Sequence, residues 1–68
     1  MSKLAEIRKE RGLSQDALAD LTGISASTIR AYEQKQRPIE SASATTVYTI
    51  AKALGTTIED LLELERLA

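Results

Sequence analysis

Apolar residues recur every three or four positions along nearly the whole chain, which is the spacing of an amphipathic α-helix. Leu18 and Leu21 show this spacing near the middle of the chain, and so do Ile29 and Tyr32. Residues 45–49 have strand propensity but lie inside a helical period. The pattern predicts an all-α fold of five helices without a sheet, with helices near residues 2–11, 15–22, 26–33, 42–54 and 58–66.

Serine and glycine residues mark the ends of two of these helices. Ser14 and Ser25 each precede a helical run, where a hydroxyl can accept from the free N–H groups of the first turn. Gly23 lies between them, at a position that favours a left-handed backbone. The stretch 14–33 therefore predicts two short helices joined by a tight turn. Such a helix-turn-helix can place its second helix in a major groove.

Capping signals also delimit the later helices. Ser41 and Ser43 compete as the N-cap of the fourth helix, and the sequence leaves both open. Thr57 and Asp60 have the spacing of a capping box before the fifth helix.

The inward positions of the five helices define a predicted core. Leu64 and Leu67 are surplus to it, and they either cover the same core or face a second subunit. The predicted core residues are Leu4, Ile7, Leu13, Leu18, Leu21, Ile24, Ile29, Tyr32, Val47, Ile50, Ala51, Leu54, Ile58, Leu61 and Leu62.

Composition narrows the possible functions. Sixty-eight residues suffice for one domain, which we expect to span residues 1–68. On folding, so small a domain buries only about 60% of the surface that its unfolded chain exposes. The chain has no Cys and no His, and it shows no paired acids in a predicted cleft and no Gly-rich phosphate loop. We therefore expect neither an enzyme nor a cofactor or metal site. No apolar run is long enough for a membrane span or a signal peptide, so we expect a cytoplasmic protein.

The net charge of −1 argues against indiscriminate binding to nucleic acid, but the charge is uneven. Residues 1–37 hold seven Lys/Arg and five Asp/Glu, whereas residues 38–68 hold two and five. This asymmetry is compatible with one face turned toward DNA, and equally with an ordinary solvated surface.

The helix-turn-helix stretch and its flanks resemble the lambda-repressor/Cro family of helix-turn-helix domains, also called the XRE family. The resemblance covers about residues 4 to 64 and implies a five-helix, lambda-repressor-like DNA-binding domain. The matching residues are Ile7-Arg8, Arg11-Gly12-Leu13-Ser14-Gln15, Leu18-Ala19, Gly23-Ile24-Ser25, Ser27-Thr28-Ile29, Tyr32-Glu33, Pro38 and Ile50-Ala51-Lys52-Ala53-Leu54-Gly55.

The resemblance implies that the starts of helices two and three point at the duplex. Arg30 is the long outward side chain of helix three, and it either reads a guanine edge or grips a phosphate. Ala26 and Ala31 stand where the family commonly has longer polar residues. The contact that remains open to an alanine is with the methyl group of a thymine. The candidate DNA-binding residues are Gln15, Ser25, Ala26, Ser27, Thr28, Arg30, Ala31, Lys35, Gln36, Arg37, Ser41 and Ser43.

Other expectations from the resemblance concern structure. Arg8 and Glu33 match an arginine and a glutamate that pair with each other in the family. Lys35 stands where the family often has glycine after helix three, so either the lysine is strained or the turn differs. The chain from Pro38 to Ile50 is some four residues longer than in shorter members. We interpret the extra residues as one added turn at the start of helix four.

The expected function is that of a sequence-specific, double-stranded DNA-binding transcriptional regulator of repressor, Cro-like or controller type. One helix-turn-helix reads few base pairs, so we expect a homodimer on a palindromic operator, with Leu64 and Leu67 as the contact. The alternative is a protein-interaction module on the same fold, such as an antitoxin or coactivator domain.

Overall fold

The computed structural model describes residues 2–62, and within that range the regular secondary structure is all helical and contains no strand. The elements are α1 (Lys3–Glu10), α2 (Gln15–Thr22), α3 (Ala26–Glu33), a 3₁₀ turn (Ile39–Ser41), α4 (Ala44–Leu54) and α5 (Ile58–Leu62). The helix packing joins α2 to α3 and α4, α1 to α3 and α5, and α4 to α5. The prediction of an all-α, five-helix fold is confirmed.

Serine hydroxyls begin the first four α-helices. Ser2, Ser14, Ser25 and Ser43 each accept a hydrogen bond from the N–H three residues later, at 3.1, 3.0, 3.2 and 3.1 Å. Ser43 is therefore the N-cap of α4. In every case the side chain replaces a backbone acceptor that the first helical turn lacks.

Helix α5 begins with a side-chain cap as well. The Thr57 hydroxyl accepts from the Asp60 N–H at 3.1 Å, as the capping-box spacing predicts. The Asp60 carboxylate, however, accepts from the Thr56 hydroxyl at 3.3 Å.

The core lies where the inner faces of the five helices meet. Its fully buried side chains include Leu4, Leu18, Ile29, Ile50, Leu54 and Leu61. Leu13, Ile24, Ile58 and Leu62 are partly buried against this cluster, as are Ile39 and Ala42 from the loop.

Leu21 is the predicted core residue that the structure places elsewhere: 61% of it is exposed. Leu18 occupies the centre of the buried face of α2 and is 0% exposed. Leu21 follows three residues later and therefore lies about 60° round the helix. That rotation carries it past the edge of the buried face, so the prediction for Leu21 was wrong.

We expected the extra residues after Pro38 to add a turn to the start of the fourth helix, and this prediction is wrong. They form the separate 3₁₀ turn Ile39–Ser41, and Ala42 is extended, with φ −70° and ψ 155°. The side-chain cap of Ser43 then starts α4 at Ala44 rather than near residue 42. Leu64, Leu67 and the remainder of the predicted fifth helix lie outside the described residues.

A long-range hydrogen bond ties the end of α1 to the end of α4. Arg11 follows α1, and its Nε donates to the carbonyl of Leu54 at 2.7 Å. This carbonyl is one of the last four of α4, which lack partners inside the helix. Arg11 thus helps to hold the ends of α1 and α4 together.

Candidate nucleic-acid interface

The α2–α3 pair has the connection of a helix-turn-helix. Gly23 ends α2 with φ 74°, in the left-handed region. Ile24 is partly buried against the core, and its N–H donates to the Thr22 hydroxyl at 3.2 Å. Ser25 then begins α3. The turn between the helices is held by the left-handed Gly23, the partly buried Ile24 and the hydroxyl groups of Thr22 and Ser25.

Two buried residues fix which face of α3 is outward. Ile29 is 0% exposed and Tyr32 is 7% exposed, so both anchor the inner face. Ser25, Ser27 and Arg30 are exposed on the other side, while Ala26, Thr28 and Ala31 are half-buried between the two. The outward face is therefore short and polar, with one long cationic side chain.

Hydroxyl groups cluster at the start of α3. The Ser25 Oγ lies 2.8 Å from the Thr28 Oγ1 and 3.2 Å from the Ser27 Oγ. Each of these contacts joins two groups that can both donate and accept. The cluster therefore presents hydroxyls that can reorient toward an acceptor or a water molecule.

Arg8 and Glu33 form a buried, bidentate ion pair between α1 and α3. The Arg8 Nε donates to Glu33 Oε2 at 2.6 Å and its Nη2 to Oε1 at 3.1 Å. The Arg8 Nη1 also donates to the Leu13 carbonyl at 2.8 Å. Each residue of the pair is 8% exposed. The end of α3 is thereby fixed to α1 and to the residue that precedes α2's cap.

The surroundings of Glu33 keep its carboxylate ionised. Burial alone would raise the pKa of Glu33, but hydrogen bonds from Arg8 and Gln15 and the positive charges of Arg8 and Lys9 outweigh it. The net effect is a pKa below the ordinary value for a glutamate. Glu33 therefore stays charged and holds its donors at neutral pH.

Gln15 extends this pair to the surface. Its Nε2 donates to Glu33 Oε1 at 3.0 Å, and its Oε1 accepts from Arg30 Nε at 3.5 Å, a long hydrogen bond. The sequence predicted a role in DNA binding for Gln15 and indicated neither of these contacts. They join the start of α2 to α3, and the sequence spacing of these residues carries no signal for them.

The loop after α3 carries three exposed candidate residues, Lys35, Gln36 and Arg37. Lys35 is left-handed, with φ 60°. The N–H groups of Gln36 and Arg37 both donate to the Ala31 carbonyl, at 2.9 and 3.3 Å. The Arg37 guanidinium lies over the Tyr32 ring, 5.7 Å from its centroid. The loop is thus folded back onto the end of α3.

The two candidate serines before α4 differ in their surroundings. Ser41 is exposed at the end of the 3₁₀ turn. The Ser43 hydroxyl caps α4 and also donates to Thr46 Oγ1 at 2.9 Å. Ser43 is therefore already engaged within its own helix, whereas the Ser41 side chain faces solvent.

Neither a metal-binding cluster nor a membrane-spanning helix is found among residues 2–62. Among residues 2–62 there is no group of acidic residues arranged to hold a metal ion. Over the same residues, none of the helices combines the length and the hydropathy that crossing a bilayer requires.

The comparisons with known proteins identify a family. The family model described as Helix-turn-helix matches residues 4–61, which is most of the chain. Neither the comparison with curated proteins nor the comparison with solved structures found a match. The matched family consists of DNA-binding regulatory domains and is not typically enzymatic. The α2–α3 geometry and the matched range together show that the chain belongs to the XRE family of helix-turn-helix transcription regulators.

Proposed function

We propose that this protein is a sequence-specific regulator that binds double-stranded DNA with α3 in the major groove. The observation that carries the proposal is the position of Arg30. It is the exposed long cation on the outward face of α3, beside the N-terminus of α2. Arginine in a major groove commonly reads guanine.

Of the two contacts open to Arg30, a guanine edge or a phosphate, we propose the guanine edge. The Arg30 Nε faces Gln15 Oε1, which leaves the two terminal nitrogens of the guanidinium as a fork. That fork matches the O6 and N7 acceptors of a guanine edge. Gln15 is itself held by the buried Glu33, which fixes the amide oxygen that faces Arg30.

The remaining candidates divide between bases and phosphates. Ala26 and Ala31 present methyl groups that suit the methyl of thymine, and Ser25 and Ser27 permit close approach or water-mediated bonds. The residues proposed to contact phosphates are Gln15 through its second amide hydrogen, Thr28, Lys35, Gln36, Arg37, Ser41 and Ser43, of which Ser43 must first give up its bond to Thr46 Oγ1.

The proposed binding unit is a homodimer on a palindromic operator. Two copies on a two-fold axis would place their α3 helices about one duplex turn, ~34 Å, apart. Leu64 and Leu67 stay the predicted contact between copies, and they lie outside the described residues. The second candidate function is a protein-interaction module of antitoxin or coactivator type, which is favoured by the short side chains on α3.

The test begins with an operator selected from random DNA and compares Arg30→Ala with Arg37→Ala. Loss of Arg30 should weaken binding by roughly 1–3 kcal/mol and relax the preference at one base pair. Loss of Arg37 should weaken binding to all sequences alike and lower the salt slope by about one.

Glu59→Gln, an exposed change on α5, is the matched control and should bind like the parent. If all four proteins bind the selected operator equally well, DNA recognition by α3 and its loop is wrong. If the parent selects no sequence at all, the interaction module takes its place.

A further inference from the structure

An open cleft lies between α1, the start of α2 and the end of α3. It has a volume of about 600 Å³, and its lining includes the charged and amide side chains of Lys9, Gln15, Glu33, Gln34 and Lys35. Lys9, Gln34 and Lys35 are exposed, whereas Gln15 is half-buried and Glu33 is buried. We call this opening the α1–α3 cleft.

The α1–α3 cleft is positively charged. Among residues 2–62, the cations that line it are Lys9 and Lys35, and the acid that lines it is Glu33. Both carboxylate oxygens of Glu33 accept hydrogen bonds from the buried Arg8. The three cations and the one anion sum to a net charge of +2. The acids of α1 do not line the cleft.

Lys9 acts on the same carboxylate as the start of α2. Burial raises the pKa of Glu33, while hydrogen bonds from Arg8 and Gln15 and the positive charges of Arg8 and Lys9 lower it to below the ordinary value. Lys9 on α1 and Gln15 on α2 therefore belong to one electrostatic site around Glu33.

The amides of the cleft add hydrogen-bond donors without adding charge. Gln15 donates one N–H of its Nε2 to Glu33 at 3.0 Å, and a primary amide has two. Gln34 brings a second primary amide, exposed at the C-cap of α3. Ammonium and amide groups are among the side chains that bind phosphate oxygens in protein–DNA complexes. The α1–α3 cleft therefore suits a phosphate diester, an anion with several acceptor oxygens.

The place of the cleft in the proposed interface indicates its occupant. Gln15 and Lys35 both line it, and both are proposed above to contact phosphates. A DNA strand that touches these two side chains at once passes along the cleft. We propose that the backbone of one DNA strand lies in the α1–α3 cleft and that Lys9 and Gln34 hold a phosphate there. This inference rests on the proposed function and extends the interface from the α2–α3 pair to α1.

The added contacts position the protein on the duplex and do not read its sequence. The phosphate backbone is the same at every base pair, so Lys9 adds affinity and salt dependence for all sequences alike. The buried ion pair between Arg8 and Glu33 ties α1 to α3, which are two of the elements that form the cleft.

The first experiment compares Lys9→Ala with Lys52→Ala on the selected operator and on an unrelated duplex. Lys52 lies on α4, with its ammonium 5.9 Å from the centre of the Tyr48 ring, and does not line the cleft. Its loss is therefore the same change in net charge at another site. Lys9→Ala should make the salt slope shallower by about 0.9, whereas Lys52→Ala should keep the slope of the parent. Between about 50 and 200 mM salt, the parent should lose roughly three- to fourfold more affinity than Lys9→Ala on either duplex.

Gln34 is tested by adding a charge. Gln34→Glu places a carboxylate in the cleft and should weaken binding to both duplexes more than Gln34→Ala does. The thermal unfolding of these variants and of Lys9→Ala should stay near that of the parent, because both side chains are exposed.

A second experiment locates the phosphate itself. A single uncharged methylphosphonate replaces each phosphate of the operator in turn. At one position it should weaken binding of the parent but not of Lys9→Ala, because the two changes remove the same contact and their effects do not add.

Two results overturn the inference: a Lys9→Ala variant with the salt slope of the parent, and methylphosphonates that all weaken the parent and Lys9→Ala equally. The proposed function is judged separately, by Arg30→Ala and Arg37→Ala. If those two variants weaken binding as expected while Lys9→Ala has no effect, the cleft is rejected and DNA recognition by α3 stands. A parent that binds no DNA rejects both.

Discussion

Lys35 carries a backbone conformation that side chains other than glycine rarely adopt. Its φ is 60°, in the left-handed region, directly after the cap of α3. A side chain with a Cβ is crowded there by the neighbouring carbonyl oxygen. The loop accepts this strain because the Lys35 N–H donates to the Tyr32 carbonyl and the next two N–H groups donate to Ala31.

Lys35→Gly should stabilise the domain by about 1 kcal/mol, because glycine removes the crowding. Thermal or urea unfolding measures the gain. Lys35→Ala is the control, since it keeps the Cβ while losing the charge, and it should show no comparable gain. If Lys35→Gly leaves the free energy of unfolding unchanged, the backbone at Lys35 is not strained. Both variants should bind DNA more weakly if Lys35 contacts a phosphate.

Glu33 links stability to pH. Its pKa is lowered in the folded protein, so the folded state holds the proton less tightly than the unfolded chain. The stabilisation is present above the pKa of an unfolded glutamate, about 4.3, and is lost as pH falls through the lower folded pKa.

Glu33→Gln should therefore destabilise the domain at neutral pH, by roughly 3 kcal/mol, because the buried Arg8 loses its counter-charge. Chemical unfolding from pH 7 to pH 3 should show the difference between parent and variant shrinking below about pH 4.3. A constant difference across this range would assign the loss to packing rather than to the carboxylate.

At the scale of the element, α4 shows how a helix start is selected. Ser41 and Ser43 each carry a hydroxyl group that could cap a helix. Ser41, however, is the last residue of the 3₁₀ turn Ile39–Ser41, so α4 begins only after this turn has ended. Ser43 is extended, with ψ 154°, and reaches the Thr46 N–H at 3.1 Å. The start of α4 is therefore set by the preceding turn as well as by the capping residue.

Ser43→Ala should cost about 1 kcal/mol of unfolding free energy, which is typical of a lost N-cap. Ser41→Ala should cost much less, because the N–H of Thr46 donates to the hydroxyl of Ser43 and not to that of Ser41. Urea unfolding of the two variants separates them. Equal losses would show that both serines cap the helix.

At the scale of the whole molecule, DNA binding has to arise from local charge. The net charge of −1 provides no general attraction for a polyanion, whereas residues 1–37 hold seven of the nine Lys/Arg. Helix-turn-helix contacts to phosphates release counterions, so each contact adds to the salt dependence.

The logarithm of the association constant should fall linearly with the logarithm of salt concentration, with a slope of about −0.9 per phosphate contact. Fluorescence anisotropy on the selected operator between low and physiological salt measures the slope. Lys35→Ala and Arg37→Ala should each make it shallower. A flat salt dependence would favour the protein-interaction module, which needs no phosphate contacts.

Local sequence determined the helices and the family. The 3.6-residue period, the serines before each of the first four helices and the glycine after α2 act over three or four residues, where the chain's own geometry decides the outcome. The predicted pairing of Arg8 with Glu33 came from the resemblance, and the structure shows the two side chains in contact.

Tertiary structure decided what depends on how the helices lie against each other. Leu21 continues the helical period of α2, yet it is exposed because it lies at the rim of the contact between α2 and α4 rather than beneath it. Gln15 reaches Glu33 and Arg30 across 18 and 15 residues of sequence. Arg11 reaches Leu54 across 43. No periodicity links such distant residues, because their contact follows from the packing angles of whole helices and from the turns that set those angles.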